Sequence, residues 1–139
     1  MSDTPYTYET DVTVRFRDLD VMKQVHNAVV LQYVEEARVR YFRDVLDVDI
    51  TEMNGAIARQ EIDYAGPVTF DAAVTVRYRV ASIGEASLTM AFEVVADGEV
   101  AASGEVVHVV LDEANEPTAV PSSWRMDIRD FEDVPVERS

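Results

Sequence analysis

Between Arg15 and Arg38 the chain reads RFRDLDVMKQVHNAVVLQYVEEAR, and the side chains best placed for chemistry cluster early in that run. Asp18 and Asp20 precede a short loop carrying Lys23 and Gln24, and His26 and Asn27 close it. An apolar-periodic segment begins near Asn27, so an acid sits just ahead of a helix start. Helices open with unpaired N–H groups and the positive end of their macrodipole. That arrangement can bring a carboxylate and free backbone N–H groups to the same spot, and it is the feature of the chain best placed for chemistry. The plain alternative for Asp20 is an ordinary loop carboxylate or helix cap, because capping positions favour Asp. Asp18 has Arg17 as a neighbouring partner and is assigned to structure.

His26 is one of two histidines and could act as an acid, bind a carbonyl, or simply sit exposed at the helix start. Asn27 could cap the helix, orient a water, or both. His108 falls in an apolar segment and reads as a hydrogen-bonded core histidine. Glu35 and Glu36 read as a solvated helix face, with Glu36 spaced to pair with Arg40. The chain has no cysteine, which excludes thiolate nucleophiles, disulfides and Cys-based metal sites. Two histidines without cysteine give no basis for a zinc site, and no cofactor is expected.

These residues need elements to hold them. Val12, Val14 and Phe16 alternate with polar residues, the period of a half-buried strand. Val30, Tyr33, Val34, Ala37, Tyr41 and Val45 recur at three- and four-residue steps, which predicts a helix of about five turns. Four strands follow: Ala56–Tyr64, then alternating runs around Val74–Val80 and Leu88–Val94, then Val100–Leu111. Asp97-Gly98 marks a hairpin between the last two. The apolar run late in the last strand predicts burial on both faces. Asp127–Ser139 reads as a loosely held acidic tail.

At 139 residues the chain is read as one domain, 1–139, able to bury a core without staples. Its formal net charge of −15 opposes nucleic-acid binding. No apolar run approaches the roughly 20 residues that span a bilayer, and the N-terminus lacks a signal-peptide pattern. A cytoplasmic protein with no membrane partner is expected. Lys23 is the sole lysine, and acidic excess with so little lysine suits a halophilic cytoplasm, where molar salt screens self-repulsion.

The order and spacing of three stretches resemble the hotdog-fold acyl-CoA thioesterases, in particular the 4-hydroxybenzoyl-CoA thioesterase-like family. They are Asp18-Leu19-Asp20 through Glu35-Glu36-Ala37-Arg38, then Ile62–Pro67 with Asp71, then Ile83-Gly84 with Ser87 before the Gly-containing hairpin. The likeness covers roughly residues 10–125. It implies an α+β hotdog fold, a curved antiparallel sheet wrapped around one long central helix. It implies a thioester hydrolase with Asp20 as nucleophile or general base and the Asn27 N–H as oxyanion donor, His26 standing by. CoA phosphates then need cations, for which Lys23, Arg59, Arg77 and Arg79 are candidates, with Gln24 beside Lys23 in the substrate loop. Family members commonly carry a glycine in that loop, and Lys23 would be strained if the glycine has positive φ. One helix cannot cover both sheet faces, so a homo-oligomer, a dimer or a tetramer built from dimers, is expected. The alternative is a non-catalytic acyl-CoA or small-ligand binding protein on the same fold. A hotdog dehydratase or hydratase is a third possibility.

Overall fold

The computed structural model describes residues 6–132 and 137–138. In chain order the elements are β1 (Tyr8–Val12), α1 (Asn27–Leu46), β2 (Gly55–Tyr64), β3 (Val74–Ile83), β4 (Ser87–Ala96), β5 (Glu99–Val110), α2 (Ser122–Glu132) and the two-residue β6 (Glu137–Arg138). Five strands run antiparallel in the order β1-β3-β4-β5-β2, and β6 pairs parallel with β3 at Ser82 and Ile83.

The alternating pattern of β3 places Val74, Val76, Tyr78 and Val80 in the core and leaves Thr75, Arg77 and Arg79 on the opposite face. α1 lays Val30, Val34, Ala37, Tyr41 and Phe42 against that core. The helix ends where Asp47 turns left-handed, at φ 55°, and its N–H bonds back to the carbonyls of Arg43 and Phe42. Asp97 and Gly98 both have positive φ, at 51° and 82°, which is the turn geometry that joins β4 to β5.

The expected sheet wrapped around one central helix is not what the chain builds. A second helix, α2, buries Trp124 and Ile128, one turn apart, against the core. The sheet is open, with β1 and β2 at opposite ends of its strand path and unpaired with each other. Residues 127–132, read from sequence as the start of a loose tail, are the second half of α2. Their acidity hid the pattern, because the third anchor of that face is Glu132. Its carboxylate is 1% exposed and accepts from the Tyr41 hydroxyl at 2.5 Å, the Thr7 hydroxyl at 2.6 Å and the Val80 N–H at 3.0 Å. Three donors satisfy a buried acid that composition alone assigns to solvent. The remaining residues of the expected tail, 133–136 and Ser139, lie outside the described residues.

Two smaller expectations also shift. The first strand ends at Val12, and Phe16–Asp18 form a 3-10 turn because the Asp18 carboxylate accepts the Arg15 N–H at 2.9 Å. In β5, Val107 and Val109 are only half-buried between buried Val106, His108 and Val110, so one face of that strand meets the core. The outer edge of β2 carries no strand among the described residues, and every β2 residue except Ile62 is exposed.

Candidate active site

The segment from Asp18 to Val30 is a strap tied to α1 at one end and to the 65–70 loop at the other. Asp18 fastens it. Its Oδ2 accepts the Tyr33 hydroxyl at 2.5 Å as well as the Arg15 N–H. Burial opposes ionisation of Asp18, but the Tyr33 and Arg15 hydrogen bonds, helped by the Arg17 and Arg15 charges, outweigh it and hold the carboxyl below its usual range. Burial, and then the same hydrogen bond, pushes the Tyr33 phenol up. Asp18 is therefore a structural anchor, held by Tyr33 and the Arg15 N–H rather than by an ion pair with Arg17.

Asp20 closes a tight turn. Its N–H donates to Gln24 O at 2.8 Å and its carbonyl accepts the Lys23 N–H at 3.0 Å. Its side-chain Oδ1 accepts the N–H groups of Met22, at 2.8 Å, and Gln24, at 3.3 Å. This is the local side-chain-to-backbone closure for which Asp is suited. Oδ2 has no hydrogen-bond partner among the described residues. Lys23 sits at φ 64°, the left-handed region that a glycine would occupy without cost. The turn leads into buried Val25, whose N–H bonds to Val68 O at 2.8 Å, while Gln24 bridges to Thr69.

His26 occupies the N-cap of α1, one residue before the position read from sequence, and its side chain makes no capping bond. Its carbonyl accepts the N–H groups of Val29 and Val30, at 2.9 and 3.0 Å, and its own N–H bonds to Asp18 O at 3.0 Å. Asn27 and Ala28 thus lead the helix with N–H groups that precede the first intrahelical bond. The Asn27 carbonyl accepts the Tyr64 hydroxyl at 2.9 Å.

Asp20, Lys23 and His26 line one open groove of about 860 Å³, together with Leu19. Phe16, Val21 and Phe70 complete it, and the rings of Phe16 and Phe70 meet edge to face at 6.3 Å. Val21 is 96% exposed and Phe16 78%, so a wide apolar surface surrounds a single acid. Gln24 and Asn27 line a neighbouring pocket of about 320 Å³ with Tyr64, Pro67 and Val68. The sequence reading did not single out the apolar walls. Phe16 continues the apolar alternation of Val12 and Val14 yet lies in a 3-10 turn, and Phe70 lies in a turn outside any strand or helix period.

The three candidate arginines stand elsewhere, on the sheet. Arg59, on β2, forms an ion pair with Glu61. Arg77 lies on the sheet face away from the buried core and reaches Glu9 and Glu93, each at 3.0 Å. Arg79 shares that face, and none of the three lines the groove. Among the described residues no group of three or more His, Asp or Glu side chains could hold a metal. No helix among them is long and apolar enough to cross a membrane.

The thioesterase-like superfamily matches residues 14–128, and the chain belongs to that family of hotdog-fold thioesterases. It is an enzyme of the thioester hydrolase class. A thioesterase from Thermus thermophilus, solved with coenzyme A and Zn, is 38% identical over 96% of this chain and 99% of that one, with a TM-score of 0.88. A predicted thioesterase from Bacillus stearothermophilus is 27% identical over 89% and 95% of the two chains, with a TM-score of 0.81. The 1,4-dihydroxy-2-naphthoyl-CoA thioesterase of Synechocystis shares the fold, at 16% identity over 92% and 98%, with a TM-score of 0.78. No curated protein sequence matches the chain.

Proposed function

We propose that the protein hydrolyses acyl-CoA thioesters to a free acid and CoA, with Asp20 as the reacting carboxylate. The observation that carries this reading is the division of labour on one side chain. Asp20 Oδ1 is used by its own turn, and Oδ2 is left without a partner in a groove whose walls suit an acyl chain. Attack by Oδ2 on the thioester carbon, or removal of a proton from a water that attacks it, puts negative charge on the carbonyl oxygen. The N–H groups that open α1, at Asn27 and Ala28, are the donors suited to that charge. CoA leaves as the thiolate and takes up a proton. If Asp20 is the nucleophile, water then cleaves the resulting anhydride and regenerates the carboxylate. His26 lines the same groove and is assigned to carbonyl binding or proton transfer, and Lys23 to the phosphate-bearing end of CoA. Arg59 and Arg77 already pair with carboxylates, Glu61 and the Glu9–Glu93 pair, which weakens their claim on those phosphates.

The left-handed conformation of Lys23 favours enzyme over binding module. The residue accepts strain in order to keep the turn that presents Asp20. An active homo-oligomer in the cytoplasm belongs to this reading, supported by the exposed β2 edge and the exposed Phe16, Val21 and Met22 around the groove. The test is CoA release, followed with a thiol reporter, from short, medium, long and aromatic acyl-CoAs at low and molar salt. Turnover of at least one class is expected, rising with salt as the −15 charge is screened. Saturable binding without CoA release from any of them would leave the binding-module reading in its place.

A further inference from the structure

Three turns along α1 from the proposed catalytic strap lies a second pocket, of about 230 Å³, walled by α1, the Ile50–Glu52 turn and the start of β2. Two of its lining side chains are Arg38 and His108, each only 7% exposed. Arg38 Nε and His108 Nδ1 are buried without any hydrogen-bond partner. No carboxylate forms an ion pair with Arg38 among the described residues. The polar group beside Arg38 is the Tyr78 hydroxyl, whose ionisation the Arg38 charge favours and which itself donates to Val34 O at 2.9 Å. That contact is neutral and does not balance a buried guanidinium. An unpaired charge taken out of water is costly, and proteins that keep one normally pair it.

The histidine is held in place from two sides. Phe42 packs on its ring at a centroid distance of 5.1 Å. A Cβ at Gly55 would fall 2.9 Å from Nε2, so the ring has its seat only because that residue is glycine. The remaining walls are largely apolar, including Val39, Ile50 and Ile57, with exposed Glu35 also on the lining.

We propose that this pocket binds a monocarboxylate with an apolar tail, its carboxylate seated on Arg38 and His108. One cation calls for one negative charge. A dianion would be left in excess beside Glu35, in a chain that already carries −15. Arginine presents N–H groups in the planar fork that carboxylates fit. Burial, and then the Arg38 charge, lowers the His108 pKa to about 4, so near neutral pH the ring adds a hydrogen bond without a second charge. The apolar walls select a tail. Free acids released by thioester hydrolysis belong to this chemical class, but the site stands apart from Asp20 and its occupancy does not depend on where hydrolysis occurs.

The chain has only two histidines, so ring resonances of His108 and His26 can be followed separately by NMR in the intact protein. Hexanoate and benzoate are the probes, with hexylamine as the control. Saturable shifts at His108, absent with hexylamine, are expected. Arg38→Met, which keeps an apolar stem, should weaken binding about tenfold or more, the loss of one charge-assisted contact. Glu35→Gln alters an exposed residue and should tighten binding by removing a like charge. Should Arg38→Met fail to fold, Glu35→Gln carries the test alone. No response at His108, an equal response in Arg38→Met, or unchanged or weaker binding in Glu35→Gln overturns the proposal. So does a His108 environment that follows protein concentration and ignores hexanoate, since a carboxylate of a second copy would then be the partner of Arg38.

Discussion

The Tyr33 hydroxyl donates to Asp18 Oδ2 at 2.5 Å, tying the second turn of α1 to the 3-10 turn that carries the strap. Asp20 lies two residues beyond that tie, so the position of the proposed reacting group depends on a contact between two residues that touch no substrate. Tyr33→Phe leaves Asp18 with the Arg15 N–H alone. A loss of about 1–3 kcal/mol in unfolding free energy is expected from urea denaturation, the usual cost of stranding a hydrogen-bonded group. Turnover should fall with it, and more than KM rises, because the strap loses its register rather than its walls.

Asp20→Ala removes two things together, the free Oδ2 and the Oδ1 that closes the turn. Asp20→Asn separates them. The amide oxygen can still accept the Met22 and Gln24 N–H groups while the carboxylate chemistry is lost. A kcat reduced about 10²- to 10⁴-fold with an unchanged melting temperature is expected, the range for a lost general base. Near-normal turnover in Asp20→Asn would remove Asp20 from the chemistry.

Lys23 at φ 64° holds a conformation that costs a side-chain-bearing residue about 1–2 kcal/mol. Glycine avoids that cost but gives back part of it through a freer unfolded chain. Lys23→Gly is therefore expected to stabilise the fold by roughly 0.5–1 kcal/mol, read as a raised denaturation midpoint. Lys23→Ala, which loses the same charge but keeps the strain, should give no such gain and serves as the control.

His108 makes stability depend on pH. Its pKa falls from 6.5 to about 4 on folding, so the unfolded chain binds a proton that the folded one refuses between those values. Its contribution is fully present above pH 6.5 and is lost as pH falls towards 4. The loss amounts to about 3 kcal/mol at most. Asp18 has a lowered pKa from an ordinary value of 3.8, so its contribution is present above that value and is lost only as pH falls further. Urea midpoints should drop between pH 6.5 and 4.5, and His108→Asn should flatten that interval. Equal slopes in both proteins would place the acid sensitivity elsewhere.

Several features were legible in the residues themselves. The 20-residue helix from Asn27, the strands after Gly55 and the Asp97-Gly98 turn follow from periods and turn chemistry that operate over a few residues. Asp20 ahead of a helix start, and the strain expected at Lys23, are local facts of the same kind. The sequence by itself thus determined the long helix, the four strands that follow it and the acid that stands at the helix start.

The tertiary structure decided what those elements bury. Helix α2 was hidden because its third anchor is an acid, and Glu132 becomes a core residue only when Tyr41, Thr7 and Val80, distant in sequence, bring their donors to it. Whether the sheet closed around one helix was likewise not a local matter, since it depends on which strands end the path. Phe16 and Phe70 meet across 54 residues of chain to wall the groove. Arg38 read as part of a motif on a helix face, yet packing buries it beside His108 without a counter-charge. Periodicity reports which residues share a face, but the desolvation of a charge depends on everything that packs over it.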